Sequence, residues 1–143
     1  MRRNALSTTS KTKQEIQAVL REIVILRDGG CVLRGVRHCQ DSVIQCDHLI
    51  TRANSATYAD SRLCVALCRA CHGGFKQWHK NEYDALIRQI LPKERVLLWQ
   101  RAEEDSWRPT RKYTADWKLA LVALIQERDQ LKEERQGVFI GEL

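Results

Sequence analysis

Apolar positions recur at helical spacing in several stretches of this chain and lose that rhythm between them. From Lys13 to Arg27, the residues Ile16, Val19, Leu20, Ile23, Val24 and Leu26 fall along one side of a helix. Asp28-Gly29-Gly30 then gives the glycine signal that ends it. Residues 1–10 are polar and basic and read as a loose arm. Residues 31–71 lack helical periodicity. They hold β-branched pieces such as Ser42-Val43-Ile44 and polar pieces such as Thr51 to Asp60, which predict short strands and loops. A helix is expected from about Cys71-His72 to Lys80. Tyr83, Leu86, Ile87, Ile90 and Leu91 make a stripe that stops at Pro92, and Val96, Leu97, Leu98 and Trp99 make another. Trp107-Arg108-Pro109 breaks the pattern. Thr114 can cap a long last helix, apolar at Trp117, Leu119, Leu121, Val122, Leu124, Ile125 and Leu131 and highly charged from Gln126 to Gln136. These stripes read as core. The alternative for the charged last helix is pairing with a second copy of the chain.

No apolar run approaches the roughly 20 residues that a bilayer-spanning helix needs. Arg2-Arg3 is followed by polar residues, not by the apolar stretch of a secretion signal. The expected compartment is therefore the cytoplasm, with no membrane partner. Charge sharpens the picture. The 143 residues carry a formal net charge of +6. Residues 1–80 hold 13 Lys and Arg against 6 Asp and Glu, and residues 81–143 hold 11 against 12. The basic half also contains every cysteine and every histidine. A polyanion, nucleic acid first, is the partner this favours; a surface basic only for solubility is the plainer alternative.

The cysteines are Cys31, Cys39, Cys46, Cys64, Cys68 and Cys71. With no sign of secretion, metal ligands or free thiols are expected over disulfides. Cys68-Arg69-Ala70-Cys71 is a C-x-x-C knuckle, and Cys31 and Cys39 form a wider pair. Together they fit a four-thiolate structural zinc site, with His38 as a substitute ligand and no metal as the alternative. Cys46 and Cys64 read as buried small hydrophobes.

Cys46-Asp47-His48-Leu49-Ile50 precedes Leu67-Cys68-Arg69-Ala70-Cys71-His72. On a strand, Asp47 and His48 project to opposite faces. One can reach a metal while the other reaches a water. A histidine opening the next helix can point back toward that strand. A base and a hard cation are the parts that phosphodiester hydrolysis needs. The plainer alternatives are a loop cap for Asp47 and a satisfied structural histidine for His48.

Over roughly residues 27–80, these motifs resemble the HNH nucleases of the ββα-metal type. That family has an Asp-His or His-His pair on the first strand, an Asn in the connecting loop and Leu-Cys-x-x-Cys-His entering the helix. The later part, Tyr83-Asp84-Ala85-Leu86-Ile87-Arg88-Gln89-Ile90, then Glu94-Arg95-Val96 and a charged terminal helix, resembles the phage NinG (Rap) recombination nucleases. The resemblance implies an α+β fold. A small zinc-stabilised ββα-metal (HNH, treble-clef-like) module would span 28–80, between a basic arm with an N-terminal helix (1–27) and a helical accessory region (81–143). It implies a DNA endonuclease of phage or prophage, acting in the host cell on branched recombination intermediates and leaving a 5′-phosphate and a 3′-hydroxyl. Asp47 and His72 would hold the catalytic divalent ion (Mg²⁺ or Mn²⁺), His48 would be the general base, and Cys31, Cys39, Cys68 and Cys71 would hold structural Zn²⁺. A two-fold junction suits a homodimer through the C-terminal helix. One departure stands out. Five residues before Cys68, where the family places its Asn, this chain has Leu63, and Asn54 could replace it only by a different loop path. The alternative is a non-catalytic zinc-stabilised DNA-binding module or a recombination accessory protein.

Among the arginines interspersed through the module, Arg52, Arg62 and Arg69 are candidate phosphate contacts, joined by Lys76. Lys76 lies about 6 Å along a helix from His72, and His79 about 10 Å, too far for both histidines to share one ion. Such binding weakens with salt. Trp78 and Trp107 can stack on an unpaired base, with core or half-buried packing as the expected state.

Overall fold

The computed structural model describes residues 8–39, 42–106 and 114–141. Helix α1 (Thr8–Asp28) begins inside the stretch expected to be a loose arm, and buries Ile16, Val19, Leu20, Ile23 and Val24. It stops where Gly29 and Gly30 take positive φ of 75° and 146°. The Gly29 N–H closes the last turn on the Ile25 carbonyl at 2.9 Å. Strands β1 (Ile44–His48) and β2 (Cys64–Cys68) pair antiparallel, with Asp47 opposite Val65 and His48 opposite Cys64.

After β2 the chain turns through a π-type turn, Cys71–Phe75, into the short helix α2 (Lys76–Trp78). The backbone breaks at His79 and restarts as α3 (Lys80–Ile90). Pro92 lacks the N–H a continuing helix would use, so it ends that run and opens α4 (Lys93–Asp105). Helix α5 spans Thr114–Gly141. The break expected at Trp107-Arg108-Pro109 lies outside the described residues.

Because side chains alternate along a strand, the small sheet feeds two cores. Val65 and Leu67 join Leu33, Leu63, Phe75, Tyr83, Ile87 and Trp99 on the side of α3 and α4. Cys46, Cys64 and Ala66 join the apolar stripe of α1, Tyr58, and Trp117 and Leu124 of α5 on the other. Helix α5 therefore packs along α1 of the same chain. Glu22 reaches Arg128 at 3.5 Å and Lys132 at 3.6 Å. The charge-dense end, a dimer contact by the alternative reading, is partly engaged within one chain. The whole is α+β, mostly helical around a two-stranded sheet. No described helix is long and apolar enough to cross a membrane.

Candidate metal centres and the basic cleft

The loop after α1, the end of β2 and the π-type turn bring four thiols together. The sulfurs of Cys31, Cys39, Cys68 and Cys71 all lie within 4.8 Å of one another. Cys39 Sγ is 3.7 Å from that of Cys31 and 3.5 Å from that of Cys71. Four thiolates around one zinc at about 2.3 Å stand about 3.8 Å apart, so the tetrad fits a tetrahedral zinc with little movement. The thiol set is complete without His38, which is exposed. Burial, together with the neighbouring Cys31, pushes the Cys39 thiol up to about 11. Metal binding at this tetrad must therefore release protons and weaken at acid pH.

Asp47 lies on the other side of β1 from His48 and is 1% exposed. Lys76 Nζ and the Tyr83 hydroxyl both donate to its carboxylate. His72 Nε2 stands 3.4 Å from Oδ1. Burial alone would raise the Asp47 pKa, but the His72 hydrogen bond and the Lys76 charge outweigh it and hold the group below its ordinary value. Burial, then the neighbouring Asp47, drive the Tyr83 phenol far above its ordinary value, so it stays a donor. His72 Nδ1 lies 2.7 Å from Gln45 Oε1. With Nδ1 facing that oxygen, the ring turns its Nε2 toward the carboxylate. Ligands of a single small cation stand about 3–3.5 Å apart, so Asp47 and His72 are spaced to share one. Lys76, however, already rests on the same Oδ1. The phosphate contact expected of Lys76 thus meets an internal ion pair.

His48 is 8% exposed. Its Nε2 is 3.0 Å from the Tyr58 carbonyl, which can only accept, so Nε2 carries the proton and Nδ1 the lone pair. Burial pushes the His48 pKa below its ordinary value, which favours the neutral ring. Cys46 and Cys64 are buried, as small hydrophobes would be, yet they flank this ring. One ligand atom from each of Cys46, His48 and Cys64 lies within 4.8 Å of the others. A hydrogen bond with Cys46, and burial after it, raise the Cys64 thiol well above its ordinary value.

A cleft of about 790 Å³ runs past this region, lined by His48, His72, Lys76, Arg52, Gln45 and Arg21 among others. It gathers part of the expected set and leaves part out. Arg62 is held by Asp60 on a different surface and borders a separate cavity with α5. Arg69 is exposed and does not line the cleft, and Asp47 lies behind it. Leu63 is 2% exposed in the apolar core, and Asn54 is tied to Ala56 and to the Ser106 carbonyl. His79 stacks on Phe75. Trp78 departs from the packed state expected of it and is 79% exposed. Phe75 anchors this turn in the core, and the break at His79 ends α2 before Trp78 can reach it. Trp107 is outside the described residues. Sequence reasoning missed Arg21, a cleft residue that donates to the Ile44 carbonyl at 2.8 Å. It also read Tyr83 only as part of an apolar stripe, although a phenol buried in a core signals a need for a partner.

Comparison with known protein families, with characterised proteins and with solved structures returned no match to this chain.

Proposed function

We propose that the chain is a metal-dependent endonuclease of the HNH, ββα-metal kind acting on DNA. The observation that carries this reading is the placement of His48, its Nδ1 lone pair fixed by the Tyr58 carbonyl, beside a basic cleft that also reaches His72. In this reading, His48 Nδ1 takes a proton from water. The water oxygen bonds to phosphorus, the P–O3′ bond breaks, and a 5′-phosphate and a 3′-hydroxyl result. A Mg²⁺ or Mn²⁺ held by Asp47 and His72 would stabilise charge on the phosphate. Lys76 leaves the Asp47 carboxylate to make that room and turns to the phosphate. Arg52 and Arg21 neutralise the backbone on the cleft wall. Zinc on the four-cysteine tetrad ties the loop to the turn that presents His72. A branched substrate, a phage setting and a homodimer through α5 follow from the resemblance alone.

Two observations favour a second reading, a non-catalytic zinc-stabilised DNA-binding module. Lys76 occupies the carboxylate, and the family's Asn position is the buried Leu63. One assay separates them. Zinc-loaded protein is tested on a labelled four-way junction and a matched duplex, with Mg²⁺ or Mn²⁺, as wild type and His48→Ala. Cutting that needs both the added ion and His48 supports the nuclease. Equal DNA binding by both proteins, with no cutting under any ion, replaces it with the binding module.

A further inference from the structure

The His48 ring has two thiol neighbours. Its ring nitrogen stands within 4.8 Å of both Cys46 Sγ and Cys64 Sγ, on the face of the sheet turned away from Asp47. All three residues are buried, with exposures of 6%, 8% and 0% for Cys46, His48 and Cys64. They sit on paired strands, so the sheet itself holds the spacing. Two thiolates and an imidazole around zinc stand about 3.5–3.8 Å apart, a separation that three atoms within 4.8 Å of one another reach by small side-chain movements. Histidines that bind metal usually give their other N–H to a carbonyl, as His48 does to Tyr58. Cys46 and His48 both border the cleft, which leaves the fourth position open to a water from that side. Gln17 lines the same wall, and its Oε1 is buried without a hydrogen-bond donor.

We propose that Cys46, His48 and Cys64 form a second zinc site, separate from the four-cysteine tetrad, and that zinc bound there removes His48 from the cleft's chemistry. The inhibitory half rests on the reading of His48 as general base. The physical reason is exclusivity: one lone pair on Nδ1 can take a proton from water or bind a metal, not both. Two soft thiolates make the pocket selective for zinc over Mg²⁺, which prefers oxygen. The enzyme would then be active when zinc is scarce and silent when it is plentiful.

Zinc content is the primary test. Full-length wild type, equilibrated with zinc and freed of loosely bound metal, should retain two equivalents per chain. Cys46→Ala/Cys64→Ala should retain one. That remaining equivalent, with an unchanged circular dichroism spectrum, shows the variant is folded. Cobalt substitution adds a spectroscopic check, since the second equivalent should give a thiolate–cobalt absorption that the variant lacks. A wild type that stops at one equivalent, or a variant that still binds two, overturns the site. Activity is read separately. In Mg²⁺, the second zinc equivalent should slow wild-type cleavage at least tenfold, while the ratio of rates with and without it stays near one in the variant. Equal inhibition of both proteins would place the zinc on Asp47 and His72 and overturn the gating. Two equivalents bound with no cleavage at any zinc loading supports the site and overturns the nuclease reading.

Discussion

On one face of β1, Asp47 sits buried among an ammonium, a phenol and an imidazole, from Lys76, Tyr83 and His72. One residue further along, on the other face, His48 sits among two thiols and the ring of Tyr58, whose centroid is 5.4 Å away. Tyr58 in turn meets Trp117 of α5 edge-on at 5.4 Å. Both faces rest on apolar cores, but Asp47 itself is held by charge and directional hydrogen bonds, whereas His48 is enclosed by packing against α1 and α5. Each interaction on the Asp47 side leaves an uncompensated group when cut, whereas packing on the His48 side is lost in proportion to the atoms removed. The lesson is that one step along a strand separates a carboxylate held by polar donors from an imidazole flanked by two thiols.

That contrast can be broken most severely at the tetrad, which closes the end of the sheet on the Asp47 side. Zinc sites of this type release about 10–16 kcal/mol on binding, as much as a whole domain's stability. Cys71→Ser, or a strong chelator, should therefore abolish cooperative thermal unfolding of the module, read by near-UV circular dichroism. Next comes Asp47→Ala. It strands the half-buried Lys76 and the buried Tyr83 and should cost about 3 kcal/mol in urea unfolding. A loss below about 1 kcal/mol would show that the ion cluster does not hold that face. On the other face, Leu124→Ala removes buried methyl groups without orphaning any polar atom. About 2–3 kcal/mol is expected, with hydrogen exchange rising first in α5 and α1. Tyr83→Phe should be milder, about 1–2 kcal/mol, because Asp47 loses one donor and keeps Lys76.

The pH dependence sharpens the same comparison. Both groups have lowered folded pKa values, so for each the unfolded chain binds its proton first and stability rises with pH. For His48 the loss begins as pH falls below the unfolded value of about 6.5 and continues to its lower folded value. For Asp47 it begins only below about 3.9. Urea midpoints measured from pH 8 to pH 3 should fall in two steps, and His48→Gln should erase the upper step alone. Zinc on Cys46, His48 and Cys64 should erase it too, since a metal-bound ring cannot take the proton.

Helical periodicity alone located α1, the stripe of α3 with its stop at Pro92, and the long α5. Local spacing also sufficed for the C-x-x-C knuckle and for the opposite facing of Asp47 and His48, because a strand alternates whatever surrounds it. Other features needed the folded chain. Spacing already joined Cys31 and Cys39 to the knuckle; that all four sulfurs lie within 4.8 Å of one another came from the β1–β2 hairpin. The capture of Asp47 by Lys76 and Tyr83 is another, because it depends on α3 crossing over the sheet. The exposure of Trp78 follows from a break at His79 that no apolar count reveals. The sulfur pair beside His48 arises because β1 and β2 align Cys46 and Cys64 on one face. Nearest-neighbour chemistry and element periods are written along the chain; which distant side chains share a lone pair is decided by strand register and helix packing.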